Sequence, residues 1–184
     1  RTGNPTSNDE SSGGDAAAAI LFGDDEDAPV IAHAMGAAAS TGEFLDRYRL
    51  PGESASRIWE ERFGEQAYLA LAEDAIERAI KEADLALEDV DKVVIAGLHA
   101  RAVRSLSKIA GDKLVDDLAA RIGNPGAAQL PLLVASALDN AAPGETILCI
   151  HLADGAYASV LRTTDAIADY TPFSSVESQI ENGS

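Results

Sequence analysis

The sequence predicts a layered α/β domain with a mixed sheet and one buried helix. Three observations lead there: strand-like apolar runs alternate with helical periodicity, residues 127–142 are apolar nearly all round, and turn residues fold the last two apolar runs into a hairpin. The 184 residues suit one domain, and 46% hydrophobic residues supply a core. Residues 1–14 are polar, rich in Asn, Ser, Thr and Gly, and read as a loop or linker; the domain proper covers 15–165, and 166–184 reads as a flexible tail. The chain opens at Arg1 rather than a methionine, as a piece cut from a longer protein would.

Taken in order, residues 15–22 and 29–35 are short apolar runs bounded by turns and are expected as strands, the first having a short Ala-rich helix as its alternative. The acidic run Asp24-Asp25-Glu26-Asp27 between them reads as a solvated turn. Residues 40–62 are irregular, with Pro51-Gly52 as a turn, and Trp59 and Tyr68 pack at a helix entry. Phe63, Ala67, Leu71, Ala75, Ile76, Ala79, Ile80 and Ala83 recur at helical spacing and define the longest helix, ending near residue 84. An acidic connection leads to a buried strand, Val93-Val94-Ile95-Ala96-Gly97. Helices are expected at 100–110 and 113–121, then the turn Gly123-Asn124-Pro125-Gly126. The buried helix 127–142 carries Pro131 in its first turn, where a missing N–H costs little. Residues 146–152 and 156–162 form the hairpin about Asp154-Gly155.

Acidic residues outnumber basic ones 31 to 14, a formal charge of −17 that repels phosphate backbones and argues against nucleic-acid binding. Scarce lysine and recurrent aspartate also suit a surface kept soluble in concentrated salt, a halophile-like pattern. No apolar run is long enough to span a bilayer and no secretion signal opens the chain, so the expectation is a cytoplasmic protein away from membranes. Cys149 is the single cysteine, which excludes an internal disulfide, and His33, His99 and His151 lack short ligand spacing, so no metal is expected.

The candidate chemistry lies between Val93 and Gly126. His99 follows the buried strand and Asn124 lies on a Gly-Pro-rich loop, an imidazole and an amide at the edge of one core; Asn124 as a plain turn former is the competing reading.

At these residues the chain resembles the thiolase superfamily, in the C-terminal half of proteins like hydroxymethylglutaryl-CoA synthase and ketoacyl-ACP synthase III. Four segments carry the resemblance in order: Gly13-Gly14-Asp15-Ala16-Ala17-Ala18-Ala19, Leu98-His99-Ala100-Arg101-Ala102-Val103-Arg104, Gly123-Asn124 onward to Ala128, and Ala153-Asp154-Gly155-Ala156. Leu45-Asp46-Arg47-Tyr48-Arg49 and Gln66-Ala67-Tyr68-Leu69 tilt it toward the hydroxymethylglutaryl type. The pattern departs from the family at Ala102, where ketoacyl synthases have asparagine, and at Gln129, where the hydroxymethylglutaryl enzyme has serine.

The resemblance implies a thiolase-like layered fold and Claisen-type carbon-carbon bond formation on a coenzyme A thioester, with no permanently bound cofactor. It implies that His99 and Asn124 stabilise the thioester oxyanion or enolate, that Arg104 lies near the coenzyme's phosphates, and that the acylated cysteine comes from an N-terminal thiolase half outside these residues. Cys149, on the last hairpin, and Tyr157 are further acid/base candidates; for Cys149 a small buried hydrophobe is the other reading. Expected partners are that N-terminal half, on the same precursor or another chain, and a homodimer or hetero-assembly that includes a zinc-ribbon/OB-fold protein. Two other functions stay open at this point: a non-catalytic thiolase-like scaffold, and an aldolase acting on β-hydroxyacyl-CoA.

Overall fold

The computed structural model describes residues 8–23 and 29–183. The chain runs α1 (Asn8–Ser12), β1 (Ala32–Ser40), β2 (Arg47–Tyr48), β3 (Arg57–Ile58), α2 (Glu61–Glu82), β4 (Lys92–Gly97), α3 (Ala100–Ala110), α4 (Ala119–Ile122), α5 (Gln129–Asp139), β5 (Thr146–Leu152), β6 (Ala156–Thr163) and α6 (Val176–Glu181). Four strands form one mixed sheet in the order β1-β6-β5-β4; β4 and β5 are parallel and the other neighbours antiparallel. Parallel neighbours need a crossover, and α3, α4 and α5 provide it. The mixed sheet and the layered α/β class are as the sequence predicts.

Burial on both faces explains why β4 reads as an unbroken apolar run. Val93 and Ile95, with Leu148, Ile150 and Leu152 of β5 and Ala158 and Val160 of β6, meet α2 and α3. Val94, Ala96, Ile147 and Cys149 face the other way, onto Leu133, Val134 and Ala137 of α5 and Val176 of α6. Small residues bring α2 close to β1 and β6: Ala72, Ala75 and Ala79 are fully buried, and a Cβ at Gly36 of β1 would lie 2.6 Å from the Ala79 carbonyl oxygen. α2 also caps the outer edge of β1. Glu82 accepts from the Ala37 N–H at 2.9 Å, and Arg78 donates to the Ala39 carbonyl at 2.5 Å. On the far edge of β4, the Val115 N–H donates to the Val93 carbonyl at 2.9 Å.

Several expectations need correction. Residues 15–22 form neither a strand nor a helix; they run irregularly, and Leu21 and Phe22 are 96% and 84% exposed. A strand needs a neighbour; on the outer edge of β1 the Ala37 N–H and the Ala39 carbonyl are bonded to side chains of α2 and not to another strand. The second expected strand starts later and runs to Ser40, because its small residues lie under α2. The acidic run at 24–27 lies outside the described residues. The irregular segment 40–62 contains the β2–β3 ribbon. No helix fills 113–121: Asp116 and Asp117 turn their side chains onto the N–H groups of Leu118 and Ala119 at 3.1 and 2.9 Å, and these local turns leave only the single turn of α4. The buried helix is shorter than expected, Gln129–Asp139, with Pro131 in its first turn.

The described residues near both ends pack on the domain. Residues 12–14 dock on the asparagine loop, the Asn124 N–H donating to the Ser12 carbonyl at 2.7 Å and the Gly14 N–H to the Asn124 carbonyl at 2.8 Å. Residues 166–181 pack back on the domain: Ile167 and Val176 are buried, the Val176 N–H donates to Asp139 at 2.8 Å, and Arg121 reaches Glu177 at 2.5 Å. Ser175 caps α6 by accepting from the Ser178 N–H. Among the described residues no helix is long and apolar enough to cross a membrane.

Candidate active site

β4 ends at Gly97, and two residues later His99 becomes the N-cap of α3. Its Nδ1 accepts from the Ala102 N–H at 3.2 Å. In a neutral imidazole whose Nδ1 is an acceptor, the proton sits on Nε2. That Nε2–H is buried and has no hydrogen-bond partner among the described residues; the residue as a whole is 4% exposed. A buried N–H left unpaired costs on the order of 1–3 kcal/mol, so its presence asks for an explanation. The ring is seated on the first turn of α2, where a Cβ at Gly64 would lie 2.6 Å from Nε2. Tyr68, one turn further along α2, packs against the ring with centroids 5.4 Å apart. Glu65 accepts from Ser105 at 2.7 Å and from Arg101 at 2.9 Å, which ties α3 to the same turn, and these bonds hold its carboxyl below the usual range.

Asn124 comes to the same end of β4 in a different capacity. Its two amide hydrogens are both engaged, one to the Gly97 carbonyl at 3.0 Å and one to Gln129 Oε1 at 2.9 Å, while its Oδ1 accepts from the Gly126 N–H at 2.8 Å. Gln129 Oε1 also accepts from the Gly97 N–H at 3.2 Å. The two side chains therefore occupy the outward-facing N–H and C=O of Gly97 as a neighbouring strand would. Of the two donors expected from the sequence, the structure leaves one, His99, without a partner; the turn-forming reading of Asn124 matches its bonds.

The other predicted residues are dispersed. Arg104 is exposed on α3 and has no partner among the described residues, on a helix that carries Arg101 and Lys108 and no acidic residue. Cys149 lies in mid-strand between Val94 and Ser159, 2% exposed, and burial pushes its thiol up to about 12. Its surroundings match the small-hydrophobe reading. A thiol reagent added to the native chain is expected to react only after denaturant is added; rapid labelling without denaturant would contradict this placement. Tyr157 is half exposed on β6, paired with His151 and Ala39 on a wing of the sheet that α5, lying mainly over β4, does not roof. Burial holds the His151 imidazole below its usual value. Trp59 stacks on Phe63 and, with Phe44 and Tyr68, forms the aromatic entry to α2. Among the described residues no group of three or more His, Cys, Asp or Glu could hold a metal ion.

Sequence reasoning missed two parts of this region. Gln129 is buried, 5% exposed, and a lone polar residue opening an apolar helix was the signal available in the sequence. Asp46 is a buried carboxylate, 3% exposed, that accepts from the Tyr68 hydroxyl at 3.2 Å, and that hydroxyl accepts from the Asp154 N–H at 3.3 Å. Burial first, then the charge of Asp46, raise the phenol above its ordinary value, so it stays a donor.

No family model and no curated protein matches the chain. Solved structures do. The 3-oxoacyl-(acyl-carrier-protein) synthase III from Aquifex aeolicus VF5 superposes with a TM-score of 0.59 at 16% identity, over 73% of this chain and 45% of that one. The synthase III FabH from Pseudomonas aeruginosa PAO1 gives 0.58 at 17% identity, over 78% and 47%. An HMG-CoA synthase complexed with CoA gives 0.57 at 18% identity, over 77% and 42%. The chain spans less than half the length of each. Likeness at this identity is a likeness of fold, and at this coverage the chain has the fold of rather less than half of each of these synthases.

Proposed function

We propose that this chain is the C-terminal half of an acyl-CoA condensing enzyme of the hydroxymethylglutaryl-CoA synthase type, and that His99 is its oxyanion donor. The observation that carries the reading is the buried, unpartnered Nε2–H at the end of β4. Claisen condensation moves negative charge onto a thioester oxygen as the enolate forms. A fixed donor in a dry site stabilises that charge without reorganising, and one such donor is worth about 10²–10³ in rate. Asn124 serves as a second donor only when its bond to Gln129 or Gly97 opens; otherwise it holds the end of β4 two residues ahead of His99. Arg104, on the acid-free helix α3, is the group for the phosphates of coenzyme A.

The acylated cysteine belongs, in this reading, to an N-terminal half. The unroofed wing of β1 and β6, with Ala37, Ala39 and Tyr157 at its surface, and the exposed Leu21 and Phe22 support a companion of that kind. The test is condensation of acetyl-CoA with acetoacetyl-CoA by the complete assembly, followed as released coenzyme A thiol. His99→Ala is expected to lower the rate about 100-fold or more. An unchanged rate would hand the chain to the scaffold reading, and cleavage of β-hydroxyacyl-CoA in place of condensation would hand it to the aldolase reading.

A further inference from the structure

Three buried side-chain polar atoms lack a hydrogen bond among the described residues, and all three lie in one place: Asp46 Oδ1, Arg47 Nε and His99 Nε2. Arg47 donates to the Leu98 carbonyl at 3.2 Å, the peptide immediately ahead of His99. Its guanidinium also pairs with Asp9, and its Nε lies 3.9 Å from Asp46 Oδ2. On the ring side, Tyr68 stands between the imidazole and Phe44, with centroids 5.4 and 5.0 Å away. The Tyr68 hydroxyl is pinned from two sides, donating to Asp46 and accepting from the Asp154 N–H. Segments far apart in sequence, the loop after β1 and the β5–β6 turn, therefore meet at the hydroxyl of Tyr68, whose ring packs on the imidazole.

We propose that Arg47, Asp46 and Tyr68 are positioning residues for His99, holding its backbone and ring so that the Nε2–H tautomer persists in one orientation. This rests on the reading of His99 as the oxyanion donor. Packing alone would be met by phenylalanine at position 68 and by an apolar residue at 46. A carboxylate with one unpaired oxygen is an expensive group to bury, and it stabilises a fold poorly. What the polar pair adds is direction: Tyr68 cannot swing without breaking two hydrogen bonds, and Arg47 fixes the peptide that aims the N-cap. A donor held within a narrow angular range is what an oxyanion site needs.

The test uses the 184-residue chain labelled with 15N-histidine, at a pH above the imidazole titration, so that it reads the ring without any turnover. His33 and His151 give the other signals, and His99→Ala identifies the one that matters. The wild-type chain is expected to show an unprotonated Nδ1 and a protonated Nε2. Tyr68→Phe and Arg47→Met are expected to raise the minor tautomer about five-fold or more, as loosening of the Ala102 bond would. Asp46→Asn keeps an oxygen for Tyr68 and should retain the wild-type shifts, whereas Asp46→Leu should not. Arg57→Ala, which opens an exposed ion pair with Glu53 on the same loop, should change nothing. If Tyr68→Phe and Arg47→Met fold and keep the wild-type tautomer, with or without a loss of melting temperature, the proposal is wrong; if either fails to fold, the other decides. An inert His99→Ala in the condensation assay would overturn the catalytic reading while leaving this measurement to stand by itself.

Discussion

Gly64→Ala is expected to destabilise the chain, although alanine in a helix interior ordinarily improves on glycine by about 1 kcal/mol. The new methyl carbon would stand 2.6 Å from His99 Nε2 and 3.0 Å from Cδ2. The contact is with the end of a side chain, so the ring would yield rather than the backbone. It has little room to yield into, because Tyr68 packs against it and Nδ1 is held by the Ala102 N–H. Forcing the ring aside should cost about 1–3 kcal/mol, the ordinary cost of overpacking. The sign should reverse once the imidazole is gone: in a His99→Ala background, Gly64→Ala meets open space and should stabilise. Thermal unfolding of the four chains measures this, and a stabilising Gly64→Ala with His99 in place would show that the ring is not seated on α2. In the complete assembly, Gly64→Ala should impair condensation nearly as far as His99→Ala.

Gln129→Leu is expected to cost about 2 kcal/mol or more, because it strips the acceptor from two half-buried donors at once, each worth about 1–3 kcal/mol when left unpaired and fully buried. Those donors are the Gly97 N–H and one hydrogen of Asn124. Asn124→Ala also leaves two groups without partners, the Gly97 carbonyl and the Gly126 N–H, and should cost about as much, although Gln129 keeps its bond to Gly97. The two changes share partners, so the double variant should fall short of their sum. Urea unfolding reads all three. A Gln129→Leu chain within about 0.5 kcal/mol of wild type would mean that the end of β4 is held by something else.

The elements legible in the sequence are those whose pattern is set by their own burial. β4 is a continuous apolar run because it is covered on both faces, and β5 and β6 declare themselves through Asp154-Gly155, which takes positive φ values of 50° and 150° at the turn. Elements set by distant partners are not legible. The strand expected at 29–35 runs on to Ser40 because Gly36 and Ala38 lie under α2, while 15–22 has strand composition but pairs with no strand among the described residues. Asp116 and Asp117 sit within a helix-compatible stretch and withdraw it by bonding locally. The same distinction divides the site. His99 stands out because it directly follows a strand, whereas Asp46 with Tyr68, Gln129 with Gly97 and Tyr68 with Asp154 are separated by 22, 32 and 86 residues, distances over which no spacing rule operates.

The side chains of Glu82 and Arg78 along β1, and of Asn124 and Gln129 at the end of β4, have a consequence for assembly. A sheet ordinarily offers its rims for growth, whether to a second copy or to a fibril. Here Ala37 and Ala39 on one rim and Gly97 on the other are bonded to the chain's own side chains, so a strand added at those points would first have to displace them.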